Sequence, residues 1–488
     1  MPVSPVPASA IHPRMLPGLT LDRRHLLRIG SLAISSATLP GLGNPARGEE
    51  ATKSPTKAPA DRVILLWMGG GVTHIDSFDP KPDAPEAVRG TIHAINTSLP
   101  GLHFAETMPH MAKLADQICL VRSFSHDSND HLLSQVYTLS GRKVTMQQLF
   151  SEPNVGSIIS YLHGPRNGLP GYIAVPGITR PGPPPHALFV GGWVGQSYAP
   201  FCVGGEPAQL DFTQGPNTAN PAVEFEEDLK PRALRLPDEI TANRLMDRSQ
   251  LRQTLDRLVG KADRAGVFAS ADSRFDDALN LILSPDVRMA FDLNDEADAV
   301  REEYGRTKIG GRCLLARRLI EAGARFVMVD YGYDPDYGNL WDNHNAPSQN
   351  HPPIMQMVKR GYHLAGIDKA FAALIGDLTR RGLLDRTLVV FLTEFGRTPK
   401  INPTGGRDHW GACGSIFFTG GGAQVGQVIG QSDKKAAYPT GRGFTPADVA
   451  ATIYQAVGID TQRVLRDLEG RPQFVLPEGA AIPGVLGS

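Results

Sequence analysis

The stretch Arg62–Lys81, RVILLWMGGGVTHIDSFDPK, decides how the chain is read. Val63–Met68 is a continuous apolar run with the length and composition of a buried strand. It runs into Gly69, Gly70 and Gly71, where the backbone can turn sharply or approach a ligand closely. His74, Asp76 and Asp79 follow at once. In open α/β sheets, ligands collect beyond the carboxyl ends of the strands, which is where this cluster falls. A dinucleotide fingerprint fits less well: three adjacent glycines followed by Val-Thr-His do not make G-x-G-x-x-G, and no helix start follows.

Outward from this strand, apolar runs alternate with helical patterns. A short helix opens at Pro109, and strand Ile118–Val121 follows. Helix His131–Leu139 stops at Gly141, Asn154 is placed to cap a helix into Leu162, and Tyr172–Val175 is a short strand. Pro176–Pro221, rich in Gly, Pro and aromatics, has no period and reads as a long surface excursion. Leu236–Tyr304 carries leucines at helical spacing and reads as a helical insertion. The alternation then resumes with helix Gly311–Ala322, strand Arg325–Asp330, helix Leu364–Arg381 and strand Thr387–Thr393. Strand Ser415–Phe418 and a helix opened by Thr445-Pro446 complete it. This order predicts one α/β domain, 62–488, with a mostly parallel central sheet flanked by helices. Gly420–Gly430 lacks the Lys-Ser/Thr of a phosphate loop and reads as a glycine turn between strands.

The 488 residues suffice for a large core. With 49 basic and 50 acidic residues, nothing points to nucleic acid or a membrane surface as partner. Four scattered cysteines form no C-x-x-C pair and predict no disulfide framework. At the amino end, Arg23-Arg24 precedes the apolar stretch Ile29–Leu42, too short and polar for a stable membrane span. The pattern fits a twin-arginine export signal over 1–48, a linker over 49–61, and a periplasmic, cell-surface or secreted destination.

Four polar clusters lie after predicted strands: His74/Asp76; His126 to His131; Asp342 and His344 in WDNH; and Glu394 with Asp408-His409. Carboxylates and imidazoles together suit a divalent ion, Zn or Mn ahead of Ca or Mg. For each cluster alone the competing reading is a hydrogen-bonded structural histidine. Their shared placement at strand ends argues for one metal site. Arg397 in EFGRTP is either a bidentate clamp for a phosphate or sulfate group or a salt-bridge partner of Glu394.

GGGVTHIDSFDPKP, GRCLLARRLIEAGARFV, WDNH, LLDRTLVVFLTEFGRTPKIN, GRDHWGACGSIFFTGGG and FTPADVAATIYQAVGID together resemble the bacterial domain-of-unknown-function 1501 family. The resemblance covers nearly all of the chain after the linker. It implies an alkaline phosphatase/sulfatase-like fold with metals at the strand ends. By that resemblance Asp76 is the first-strand metal aspartate, Asp342 and His344 are the mid-chain ligands, Glu394 is the later acid, and Asp408-His409 holds the final histidine. The family pattern has histidine where Phe395 stands. No C-x-P-x-R is present, and Ser128 is the hydroxyl placed to serve as nucleophile. The implied function is an exported metal-dependent hydrolase of phosphate or sulfate esters, on a small or polymer-linked anionic substrate. The alternative is an inactive exported binding or scaffold protein on the same fold.

Overall fold

The computed structural model describes residues 58–177, 188–204, 229–231, 284–334, 336–345 and 351–487. All belong to one compact unit, Thr52–Ala242 with Asp277–Ser488. The export segment, most of the linker, most of Pro176–Pro221 and residues 236–283 of the expected insertion lie outside the described residues.

Among the described residues eight strands form the central sheet: β1 Arg62–Trp67, β2 Cys119–Phe124, β3 Tyr172–Val175, β4 Phe201–Cys202, β5 Phe326–Asp330, β6 Thr387–Leu392, β7 Gly414–Thr419 and β8 Gln427–Ile429. Their order is β8-β2-β7-β6-β1-β5-β3-β4. The Arg62 strand lies in the middle, parallel to β6 with Arg62 opposite Thr387, and parallel to β5 with Val63 opposite Phe326. Its central place explains the unbroken apolar run, because both faces are covered. Ile64 and Leu66 enter one core, and Val63, Leu65 and Trp67 enter the other, as the two-residue strand period requires. β7 alone runs antiparallel to its neighbours β6 and β2. Gly420–Gly426 leads from β7 to β8, which pairs with β2 across the sheet edge.

Among the described residues five longer helices flank the sheet: α1 His131–Ser140, α2 Val155–His163, α3 Lys308–Ala322, α4 Leu364–Arg380 and α5 Pro446–Ala456. Residues of α3 and α4 fill one core, and those of α2 and α5 the other. Caps set their limits. Thr307 accepts from Gly310 N to open α3 three residues before the periodicity suggested, and Thr445 with Asp448 makes a capping box on α5. Asn154 precedes α2 but makes no side-chain cap bond. Its amide instead donates to Leu188 O at 3.5 Å.

Two short helices, Pro285–Ala290 and Asp298–Tyr304, make up the described end of the expected insertion. An ion network ties this segment to the main helices: Arg317 on α3 pairs with Glu296 at 2.7 Å and with Asp377 of α4 at 2.9 Å. No described helix is long and apolar enough to cross a membrane.

Since β1, β2, β5 and β6 are mutually parallel and β7 is opposed, the carboxyl ends of four strands and the start of β7 share one edge. The chemically rich loops therefore converge there.

Candidate metal centre

Each polar group reaches that edge through a different element. His131 is the first residue of α1, whose N-cap Asp130 accepts from Leu133 N at 2.9 Å. Asp342 and His344 lie in the loop after β5. Trp341, buried against His363 and bonded through Nε1 to Tyr331 O at 2.5 Å, anchors that loop. His409 is placed by a two-residue antiparallel ladder in which Gly396 faces Trp410 and Arg397 faces His409. EFGRTP and GRDHW are thus the two sides of one hairpin-like element, and this ladder brings Glu394 and His409 to the same spot.

His131, Asp342 and His409 offer ligand atoms within 4.8 Å of one another. Asp342 Oδ1 is the focus. His131 Nε2 lies at 3.2 Å from it, His344 Nε2 and His409 Nε2 each at 3.0 Å, and Arg397 Nη2 at 2.9 Å. His344 Nε2 and His409 Nε2 are themselves 2.8 Å apart.

The outer nitrogens explain what this convergence is for. His131 Nδ1 meets Glu394 Oε1, His344 Nδ1 meets Asp408 Oδ1 at 2.7 Å, and His409 Nδ1 meets the Asn129 carbonyl at 2.8 Å. Acceptors on all three Nδ1 atoms assign the proton of each neutral ring outward, leaving Nε2 as a lone pair. In that tautomer three imidazole lone pairs gather around a carboxylate oxygen that Arg397 Nη2 also meets, an arrangement suited to a cation. Carboxylate–histidine pairs of this kind orient metal-binding imidazoles. The donor set, His131, Asp342 and His409 with His344 beside them, has the ligand chemistry of a divalent-cation site.

Burial and hydrogen bonding act in opposite directions on two of these rings. Burial opposes the charged form of His344, but its bonds with Asp342 and Asp408 prevail and raise its pKa. For His409, burial outweighs the pull of Asp342 and pushes the pKa down to about 4.

The remaining expected residues are placed elsewhere. Asp76 is fully buried and forked by Arg407, Nε to Oδ2 at 2.8 Å and Nη2 to Oδ1 at 2.9 Å, with the Thr73 hydroxyl on Oδ2 at 2.7 Å. The structure brings it to a guanidinium, not to the imidazoles. His74 is buried, and its Nε2 bonds the Ala436 carbonyl at 2.8 Å. Burial lowers its pKa. Glu394 and Asp408 reach the centre through the histidines they orient.

Arg397 is buried, and its guanidinium donates to the carbonyls of Gly70, Gly71 and Arg407 and to Asp342. These bonds go largely to backbone carbonyls of the glycine turn and of Arg407. Ser128 Oγ accepts from Ser134 Oγ at 2.8 Å and from Asp130 N at 3.3 Å, inside the turn that leads into α1. Phe395 packs its ring 5.2 Å from that of His131 and 4.7 Å from that of His409, an apolar wall to the centre.

His131 was not among the ligands assigned from sequence, and the structure places it beside Asp342 and His409. Its signal was present: an N-cap aspartate followed directly by histidine, at the mouth of a helix beyond a strand end.

No curated protein matches the sequence. Among solved structures, the chain is similar to a protein of the alkaline phosphatase superfamily from Vibrio parahaemolyticus, at 9% identity and a TM-score of 0.36, covering 89% of this chain and 76% of that one. It is similar to a phosphonate monoester hydrolase from Silicibacter pomeroyi at 11% identity and a TM-score of 0.33, covering 84% and 76%. A sulfatase from a Pseudoalteromonas species gives 14% identity and a TM-score of 0.32, covering 90% and 72%. These are likenesses of fold at low scores, and no activity, substrate or ligand is carried over from them. The family model described as "Protein of unknown function (DUF1501)" matches residues 60–486, nearly the whole described chain, and the protein belongs to that family.

Proposed function

We propose that the protein is a metal-dependent hydrolase of phosphate or sulfate esters. The carrying observation is the convergence of three outward-protonated imidazoles on Asp342 Oδ1. His131, His409 and Asp342 would hold the ion, with His344 as a further ligand, and zinc or manganese suits this nitrogen–oxygen set. When bound, a divalent cation there supplies Lewis-acid activation of water and of an ester oxygen. Glu394, Asp408 and the Asn129 carbonyl keep the imidazoles in the ligating tautomer. Phe395 limits water on one side. Because Ser128 Oγ is engaged within its own turn, the reading favours water over a side chain as nucleophile.

A second reading, an exported binding protein, draws support from Asp76. Its charge is neutralised by Arg407, so a two-metal site using that aspartate has no support in these bonds. The paired Arg23-Arg24 segment supports export, which Lys substitution of both arginines tests by retaining precursor in the cytoplasm. For catalysis, purified protein loaded with zinc or manganese is assayed on aryl phosphate, phosphodiester and sulfate esters beside Asp342→Asn. Turnover lost in the variant sustains the hydrolase. Equal background rates in both proteins leave the binding reading standing.

A further inference from the structure

A cavity of about 290 Å³ opens between the segment after β1, the strand β2 and the loop after β8. None of its lining residues belongs to the His/Asp/His group. Its walls include Asp79, Lys81, Arg122, Gln431, Asp433 and Lys434.

At the base is Asp79, fully buried, which takes Lys81 Nζ at 2.9 Å, Arg122 Nη1 at 3.3 Å and the Ser432 hydroxyl. Burial alone would raise its pKa, yet Arg122, Lys81 and Ser432 hold it below the usual carboxylate range. Arg122 is fixed as well, by donating to the carbonyls of Phe78 and His103. Two cations are thus held over one carboxylate by a rigid frame.

The loop contributes the rest. Asp433 Oδ1 accepts from Lys435 N and Ala437 N, both at 2.9 Å, so that carboxylate builds the turn. The same turn is clipped to the body through the Ala436 carbonyl on His74 and the Ala437 carbonyl on Trp410 Nε1. Lys434, exposed at the rim, makes no ion pair among the described residues. Three cations stand over two carboxylates that are both already engaged, and the volume exceeds that of several waters at about 30 Å³ each. Ammonium and guanidinium donors with surplus positive charge suit an anion with several oxygens.

We propose that this cavity binds a tetrahedral oxyanion, phosphate or sulfate, either free or carried as a group on a larger molecule. The proposal stands independently of hydrolysis at the metal centre.

Isothermal titration at low ionic strength tests it, with inorganic sulfate and inorganic phosphate as ligands and chloride as the control. Wild type should bind both oxyanions. Lys434→Glu should weaken binding by at least about tenfold, with its denaturation midpoint unchanged, because it reverses a charge at the mouth. Lys435→Glu, the exposed neighbour outside the cavity wall, should bind like wild type, and so should Asp342→Asn. Equal loss in Lys434→Glu and Lys435→Glu would reduce the effect to long-range charge and overturn the site. Loss in Asp342→Asn would assign the binding to the metal centre and overturn it too, as would absence of binding by wild type. A hexose 6-sulfate and a hexose 6-phosphate separate the sources. Tighter, Lys434-dependent binding of the esters assigns the cavity to a group on a larger ligand, and tighter binding of the inorganic ions assigns it to the free anion.

Discussion

Asp342 and Asp76 are both aspartates in loops beyond strand ends, and the protein treats them in opposite ways. Asp76 is closed off: both carboxylate oxygens are held by Arg407, and Thr73 takes a further lone pair. A metal ion entering there would strand a buried guanidinium, which is costly. Asp342 instead faces three imidazole nitrogens within 3.2 Å, groups that ligate metal when neutral. Each carboxylate has a guanidinium beside it, Arg407 on Asp76 and Arg397 on Asp342, and Asp342 in addition gathers imidazole nitrogens, a donor set suited to a cation. Asp368 is a third case. It has neither, and accepts from His110 N at 2.9 Å and Met111 N at 2.7 Å. Burial carries its pKa up to about 7 against those two bonds. A carboxylate's role in this fold is therefore set by what faces it and not by its place after a strand.

The largest expected effect breaks the closed pair. Arg407→Ala leaves Asp76 buried without its counter-charge and should cost about 3–5 kcal/mol, read from the urea midpoint at constant m. Asp342→Asn should cost clearly less in metal-free protein. Similar losses in the two variants would erase the distinction between them.

Next in size is Glu394→Gln, which removes the acceptor on His131 Nδ1. Zinc affinity, measured by competition with a chelator, should fall about 10- to 100-fold while the fold is retained. An unchanged affinity would remove His131 from the centre.

Asp130→Ala takes away the cap that sets the first turn of α1. It should lower stability by about 1 kcal/mol and weaken zinc binding less than Glu394→Gln does. A greater loss of zinc than in Glu394→Gln would mean that Asp130 ligates directly.

The smallest effect concerns Asp368. Its folded pKa of about 7 lies above its ordinary value of 3.8. The folded state therefore holds the proton more tightly, and the stability so gained is complete below the ordinary value and lost as pH rises through about 7. Asp368→Asn should remove that decline, so its stability relative to wild type rises from acid to neutral pH in thermal melts, whatever the fixed cost of losing one of the two acceptors. Parallel pH profiles would contradict a protonated Asp368.

Much of this fold was legible from local pattern. The apolar runs at Val63, Tyr172, Phe326 and Thr387 fall on strands of the sheet, and Thr445-Pro446 opens α5. The antiparallel sense of β7 was not legible, because periodicity gives a strand its faces and not its direction. The short edge strand β4, inside a Gly- and Pro-rich stretch, was missed for want of a period. For the candidate site, the sequence listed Asp342, His344, Glu394, Asp408 and His409, which the structure brings together, and His74 and Asp76, which it places on other partners, while His131 was not listed as a ligand. All three lie beyond strand ends in acid-rich segments, so local chemistry could not tell them apart.

By itself, the sequence determined the family, the alternating α/β order and the short list of acids and imidazoles, since each rests on residues near one another in the chain. Only the tertiary structure decided the pairings. Arg407 meets Asp76 across 331 positions, and Glu394 meets His131 across 263. Such contacts follow from sheet order and from the Gly396–Arg397 ladder with His409–Trp410. The groups that face a buried carboxylate set its electrostatic surroundings, and in this protein they come from a distant part of the chain.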